Sequence, residues 1–112
     1  MKKIEAYIQP FMLRKVTDHL HEIHIHGLTV IEAQGFGKEK DESYPHHAVD
    51  YAVEFTPKTK LEIICSDEAY PKIVEVIQKY ARTGRKGDGK IFVYPIEEAT
   101  SIRTGDKGDE VI

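Results

Sequence analysis

From Arg82 to Lys90 the sequence packs four cations and three glycines into nine residues, then turns into the apolar run Ile91-Phe-Val-Tyr94. Glycine lets backbone N–H groups approach an anion with no side chain in the way. Arginine forks and lysine point charges suit phosphate oxygens. In a chain of net charge −3, such a local concentration of cations points to a phosphate-bearing ligand. The stretch Gly84-Arg-Lys-Gly-Asp-Gly-Lys90 satisfies G-x-x-x-x-G-K, but Ile91 stands where a Mg²⁺-binding Ser or Thr is required. It also lies between a predicted helix and a predicted strand, the reverse of the strand-loop-helix order of a P-loop. A solvated basic turn is the plain alternative. Against it stands a second Gly/Lys element, Gly35-Phe-Gly-Lys38, which reads with the first as two walls of a nucleotide cleft.

The elements that must position these residues follow from periodicity. Ile4, Ala6 and Ile8 alternate with Glu5, Tyr7 and Gln9, which predicts a strand over 3–8 ended by Pro10. Leu13, Val16, Leu20 and Ile23 recur at helical spacing and predict an amphipathic helix over 11–24, with Gly27 as its stop. A second strand is expected over 28–36. Residues 37–47 carry Gly37, the run Lys38-Glu-Lys-Asp-Glu42, Pro45 and two histidines with no apolar period, and so read as an exposed loop. Val49, Tyr51, Val53 and Phe55 alternate again, and Leu61, Ile63 and Cys65 continue a strand beyond Pro57. Ser66 and Asp67 are expected to cap a helix with Ile73, Val76, Ile77 and Tyr80 on its core face, Pro71 falling in its first turn. A last strand is expected over 91–96. The sum is an α+β chain of ferredoxin-like βαββαβ order, a four-stranded antiparallel sheet with two helices on one face. The other face of the sheet is expected to carry apolar side chains that a partner subunit covers.

The 112 residues, 40% hydrophobic and 31% charged, suit one ordinary globular domain. No basic face dominates, which argues against nucleic acid as a partner. The single Cys65 excludes an internal disulfide and reads as a small buried apolar residue. The absence of a signal-like apolar segment near the N-terminus gives a cytoplasmic expectation.

Ile8-Gln-Pro-Phe11, Gly27-Leu-Thr-Val30, Gly35-Phe-Gly37, Ala81-Arg-Thr-Gly84, Gly87-Asp-Gly-Lys-Ile-Phe-Val-Tyr-Pro95 and Arg103-Thr-Gly105 occur in this order without gaps. Together they resemble the PII nitrogen-regulatory signalling family over the whole chain. The resemblance implies a single domain over 1–112 that assembles as a homotrimer and is not an enzyme. It implies ATP or ADP in clefts between subunits, a long target-binding loop over 37–55, a phosphate loop over 82–90 and a C-terminal loop over 102–112. By position, Gly87, Asp88, Gly89 and Lys90 match the phosphate loop, and Arg103 matches a phosphate-contacting arginine from the neighbouring subunit. Gly35, Phe36, Gly37 and Lys38 match the base of the long loop. Thr29, Glu62 and Ile64 match positions around the adenine. The implied target is a membrane transporter or a metabolic enzyme.

Several positions depart from the family pattern. Ser101 stands where a second phosphate arginine is usual, which disfavours the triphosphate relative to ADP or AMP. Glu39 stands where a glutamine usually helps hold Mg²⁺ and 2-oxoglutarate. A carboxylate suits Mg²⁺ but repels a dianion, so ATP is the firmer expectation and 2-oxoglutarate stays open. Lys58, matching the lysine that pairs with that acid, is present. The nucleotidylylation motif Tyr-Arg-Gly-Ala-Glu-Tyr is replaced by His46-His-Ala-Val-Asp-Tyr51, leaving Tyr51 as candidate acceptor, with Tyr44 weaker and a packed strand tyrosine as the alternative. No arginine is present in the loop, against a role in plugging an ammonium channel.

His46 and His47, near Asp41, Glu42 and Asp50, are a candidate site for Zn²⁺, Ni²⁺ or Cu²⁺, although adjacent side chains in regular structure do not converge. His19, His21, His24 and His26 read as solvent-exposed side chains on and after the first helix. The function expected is a trimeric adenine-nucleotide-sensing regulator. The alternative is a variant of the same scaffold serving metal or bicarbonate transport with another effector. No activated nucleophile or acid–base pair supports an enzyme.

Overall fold

The computed structural model describes residues 1–36 and 55–112. In chain order these form β1 (Lys2–Ile8), a 3-10 turn (Pro10–Met12), α1 (Leu13–Glu22), β2 (Thr29–Gly35), β3 (Thr56–Cys65), α2 (Tyr70–Ala81), β4 (Gly89–Pro95) and a 3-10 turn (Asp109–Val111). The sheet order is β2-β3-β1-β4 and every pairing is antiparallel. This is the ferredoxin-like βαββαβ arrangement that the periodicity predicts. No helix among the described residues is long and apolar enough to cross a membrane.

Strand alternation makes the sheet two-faced. Ile4, Ala6 and Ile8 of β1 and Leu61 and Ile63 of β3 pack against Val16 and Leu20 of α1 and Ile73 and Ile77 of α2, and none of these is more than 1% exposed. The other face carries exposed apolar side chains, as expected, and charge beside them. Ile31, Ile64 and Phe92 are exposed there, but the central strands carry an ion-pair ladder. Lys60 lies 3.0 Å from Glu62 and 3.6 Å from Glu5, and Lys3 lies 3.4 Å from Glu62 and 3.5 Å from Glu5. The Tyr7 and Tyr94 hydroxyls donate to Glu5 Oε1 at 3.0 and 3.3 Å.

Element ends differ from expectation in five places, each with a local cause. The first helix is shorter than 11–24, because Pro10 opens a 3-10 turn and the helix ends at Glu22, with His24 and not Gly27 turning the chain. His24 takes φ 68, a left-handed conformation that histidine adopts more readily than most residues. Its N–H then returns to His21 O at 2.9 Å and that of Ile25 to Leu20 O at 3.0 Å. Ser66 does not cap α2: its Oγ accepts from Ala69 N at 3.2 Å, holding the turn before the helix. Asp67 instead pairs with the N-terminal ammonium at 3.0 Å. Pro57 lies inside β3, opposite Gln34, beyond the Ile8↔Thr59 pair where β1 ends, so no central ladder needs its missing N–H. The expected alternation at Val49, Tyr51 and Val53 falls outside the described residues.

The fifth difference is at β4, which starts at Gly89 and not at Ile91. Gly89 has φ +105, and a Cβ there would lie 1.7 Å from Tyr7 O and 2.7 Å from Tyr7 C. Only glycine lets the two backbones meet at this point. Gly84 has φ +91 with open space around it. Gly84→Ala is expected to cost about 1–2 kcal/mol from left-handed strain alone. Gly89→Ala is expected to cost at least about 3 kcal/mol, since β4 must also move off β1. Chemical denaturation at fixed protein concentration separates the two, and equal losses would contradict the close approach.

Candidate functional site

The cationic loop begins where α2 stops, at Arg82, whose backbone is already extended (φ −75, ψ 127). Its shape is held from within by one carboxylate. Asp88 accepts from Thr83 N at 2.8 Å, from Gly84 N at 2.9 Å and from the Thr83 hydroxyl. Gly84, Gly87 and Gly89 supply the positive φ values, 91, 94 and 105, that let so short a ring close. From β3, the Lys58 ammonium donates to Gly87 O. Arg82, Arg85, Lys86 and Lys90 are left on the outside, all exposed. The loop thus presents cations outward while its own anion faces inward. Partial burial pushes the Asp88 carboxyl up, but the hydrogen bonds from Thr83 and Gly84 outweigh it and hold it below the ordinary aspartate value.

Placement of the other sequence-predicted residues divides them into two groups. Gly35, Phe36, Lys58, Gly87, Asp88, Gly89 and Lys90 gather at one end of the sheet, where β2 ends, β3 begins and β4 begins; Gly35 pairs with Thr56 and Ile8 with Gly89. Phe36 is exposed and meets Phe55 edge-on at 5.4 Å. Thr29 and Glu62 pair with each other at the opposite end of β2, with Ile64 beyond them. Arg103 lies eight residues past Pro95, the last residue of β4, which pairs with Lys2 opposite Cys65 at the second end. Thr29 and Gly35 are the two ends of one strand, and at 3.2–3.4 Å per residue they stand about 20 Å apart.

A pocket of about 440 Å³ lies at each end. One is lined by Tyr7, Gln78, Arg82, Asp88, Gly89 and Lys90 among others. The other is lined by His26, Gly27, Ile64, Asp109 and Ile112 among others. Sequence reasoning did not single out Tyr7 or Gln78, because neither type signals a ligand by itself; Arg82 was visible within the cationic run. The first end carries four exposed cations and, at Gly89, a backbone position that admits no side chain. Ile64 lines the second pocket, while Thr29 and Glu62 pair with each other across β2 and β3.

Glu62 and Ser101 have partners of their own. The Lys60 ammonium bonded to Glu62 draws its carboxyl below the ordinary value, with Lys3 adding to this. Ser101 Oγ accepts from Thr104 N at 3.3 Å, Ser101 O accepts from Gly105 N at 2.8 Å, and Ser101 N donates to Asp106 O at 2.8 Å. The residue at the departed arginine position therefore builds the turn that carries Arg103. Cys65 is buried, and burial pushes its thiol up.

Gly37, Lys38, Glu39, Tyr44, His46, His47 and Tyr51 lie outside the described residues. Among the described residues no three His, Cys, Asp or Glu side chains form a set that holds a metal ion. His19 stacks on Tyr80 at 3.5 Å between ring centroids, and so joins α1 to α2.

The sequence model of the family described as Nitrogen regulatory protein P-II matches residues 1–106. The chain belongs to that family. It is 51% identical to the Nitrogen regulatory protein P-II of Rhodospirillum rubrum and 50% identical to that of Azospirillum brasilense, in each case over 112 residues and the full length of both chains. The protein of the same description from Haemophilus influenzae is 46% identical, again over the full length of both. Membership agrees with the motifs at 81–84 and 87–95, which lie in the described loop and β4.

The Asp88 ring makes a pH prediction. A carboxyl whose folded pKa lies below its unfolded value contributes stability that is fully present above the unfolded value and is lost as pH falls through the folded one. The amide resonances of Thr83 and Gly84 should therefore titrate together with a midpoint below the 3.8 of an unperturbed aspartate. A midpoint at or above that value would mean the ring does not hold Asp88 ionised.

Proposed function

We propose that this P-II family chain is a non-enzymatic regulator that binds ATP or ADP between subunits of a homotrimer and signals through the loop over 37–55. The observation carrying this reading is the division of the site residues into two groups about 20 Å apart along one subunit. A nucleotide that uses both groups is best served by the phosphate end of one copy and the Thr29, Glu62, Ile64 and Arg103 end of another. Gly87 and Gly89 bring backbone to the phosphates, while Lys90 and the neighbour's Arg103 neutralise their charge. Mg²⁺, when bound, would neutralise the polyphosphate further, with Glu39 its candidate ligand. 2-Oxoglutarate is the candidate co-effector at Lys58, and a nitrogen-linked transporter or enzyme of the cytoplasm the candidate target. Ligands at the loop base bias one loop conformation over others, a population shift rather than a chemical step.

Complementation tests the arrangement. Lys90→Ala and Arg103→Ala proteins are each expected to bind ATP at least about tenfold more weakly in calorimetry, each having lost a charge-assisted contact. Unfolded together and refolded as mixed oligomers, they should regain a fraction of wild-type sites, because some interfaces then pair an intact Lys90 with an intact Arg103. No regain would place both residues in one subunit's site. No ATP or ADP binding by the wild type would remove the reading. ATP binding indifferent to 2-oxoglutarate would leave the nucleotide reading in place and exclude that acid.

A further inference from the structure

Gln9 follows β1 directly and precedes the 3-10 turn. It is 1% exposed, and among the described residues neither its Oε1 nor its Nε2 has a hydrogen-bond partner. A buried amide without partners is unusual and calls for a reason. Its surroundings supply one. Ile8 pairs with Thr59 on one side and Gly89 on the other, so Gln9 lies one step further, between Lys58 of β3 and the loop leading into β4. Its backbone is extended (φ −67, ψ 135), so its side chain follows the alternation of β1 onto the face of Tyr7, the face that Lys58 shares. Strands on either side of a central one are about 10 Å apart. The Lys58 side chain, in reaching from β3 to Gly87 O, therefore crosses the end of β1 above Gln9. Gly87 is itself buried.

An anion arriving at this end can draw the Lys58 ammonium out of reach of Gly87 O. Drawing Lys58 away would strip a buried carbonyl of its donor, which opposes binding. We infer that Gln9 is the replacement donor: its Nε2–H bonds Gly87 O when Lys58 turns to an anionic oxygen, so that the lysine is freed without orphaning the loop. Gln9 is thus a positioning residue acting through Lys58. The inference deepens the nucleotide reading and rests on it. The anionic oxygen belongs either to the nucleotide's terminal phosphate or to the carboxylate of a 2-oxo acid.

The test is a double-mutant cycle on the full chain with Gln9→Met, Lys58→Met and the double variant. Each is titrated calorimetrically with ATP and ADP in Mg²⁺, and with 2-oxoglutarate over saturating MgATP; each is also melted without ligand. Gln9→Met removes an unpartnered amide for an apolar chain of similar length, so its melting temperature is expected to hold or rise. Affinity for the anion that takes Lys58 is expected to fall about tenfold, and the arm in which it falls identifies the source. The double variant should bind no more weakly than Lys58→Met alone, since Gln9 matters only when Lys58 moves. Gln9→Met binding every ligand as the wild type does would overturn the inference and leave the nucleotide reading standing. Losses that simply add in the double variant would also overturn it, as would a lowered melting temperature with unchanged affinity. A wild type that binds none of these ligands would remove the underlying reading and this inference together.

Discussion

The contact between Gly89 and the Tyr7 carbonyl is the constraint on which the site depends. A side chain at position 89 would occupy the place of that carbonyl, 1.7 Å away, so the loop can meet the end of β1 only through glycine. The contact fixes the register Ile8↔Gly89. Because strand side chains alternate, a slip of one residue would move Ile91 and Val93 off the helix face and bring Lys90 onto it. Register, core and the cationic loop are therefore set by the same backbone approach. Asp88 and Lys58 then shape what that approach positions, one bonding the loop's N–H groups and the other its Gly87 carbonyl.

The outer face of the sheet follows a different logic. Ion pairs on a solvated surface contribute little singly, but Lys3, Glu5, Lys60 and Glu62 form a closed ladder braced by two tyrosine hydroxyls. Partial burial pushes Glu5 up, yet the hydrogen bond from Tyr7 and the charges of Lys60 and Lys3 hold it below the usual carboxylate range. The hydrogen bond to Glu5 in turn raises the Tyr7 phenol. Ile31, Ile64 and Phe92 are exposed around the ladder, so the face mixes balanced charge with apolar flanks.

Much of the fold was legible from the sequence, because its signals are local. The alternation in β1, the helical spacing of Val16, Leu20, Ile73 and Ile77, and the glycine-cation density over 82–90 are all patterns within a few residues. The failures were at element ends. His24 and not Gly27 turns the chain after α1, Ser66 braces a turn rather than capping α2, and Pro57 is accommodated because β1 is too short to need its N–H. In each case a neighbour distant in sequence, or a backbone angle that residue type does not dictate, decided the outcome.

For this protein, then, the sequence by itself determined the element order, the two-faced strands, the family and the chemical character of the anion loop. Residue types and short-range periods are sufficient for those. Tertiary structure alone decided that Lys58 reaches Gly87 across β1, that Asp88 faces into its own loop, that Gln9 is buried without a partner among the described residues, and that the candidate residues divide between the two ends of the sheet. These depend on antiparallel pairing, which sets side by side residues that the chain keeps far apart. The cationic character of the loop was readable from its composition; that the residues singled out with it stand at the two ends of β2 became visible only from the strand pairing.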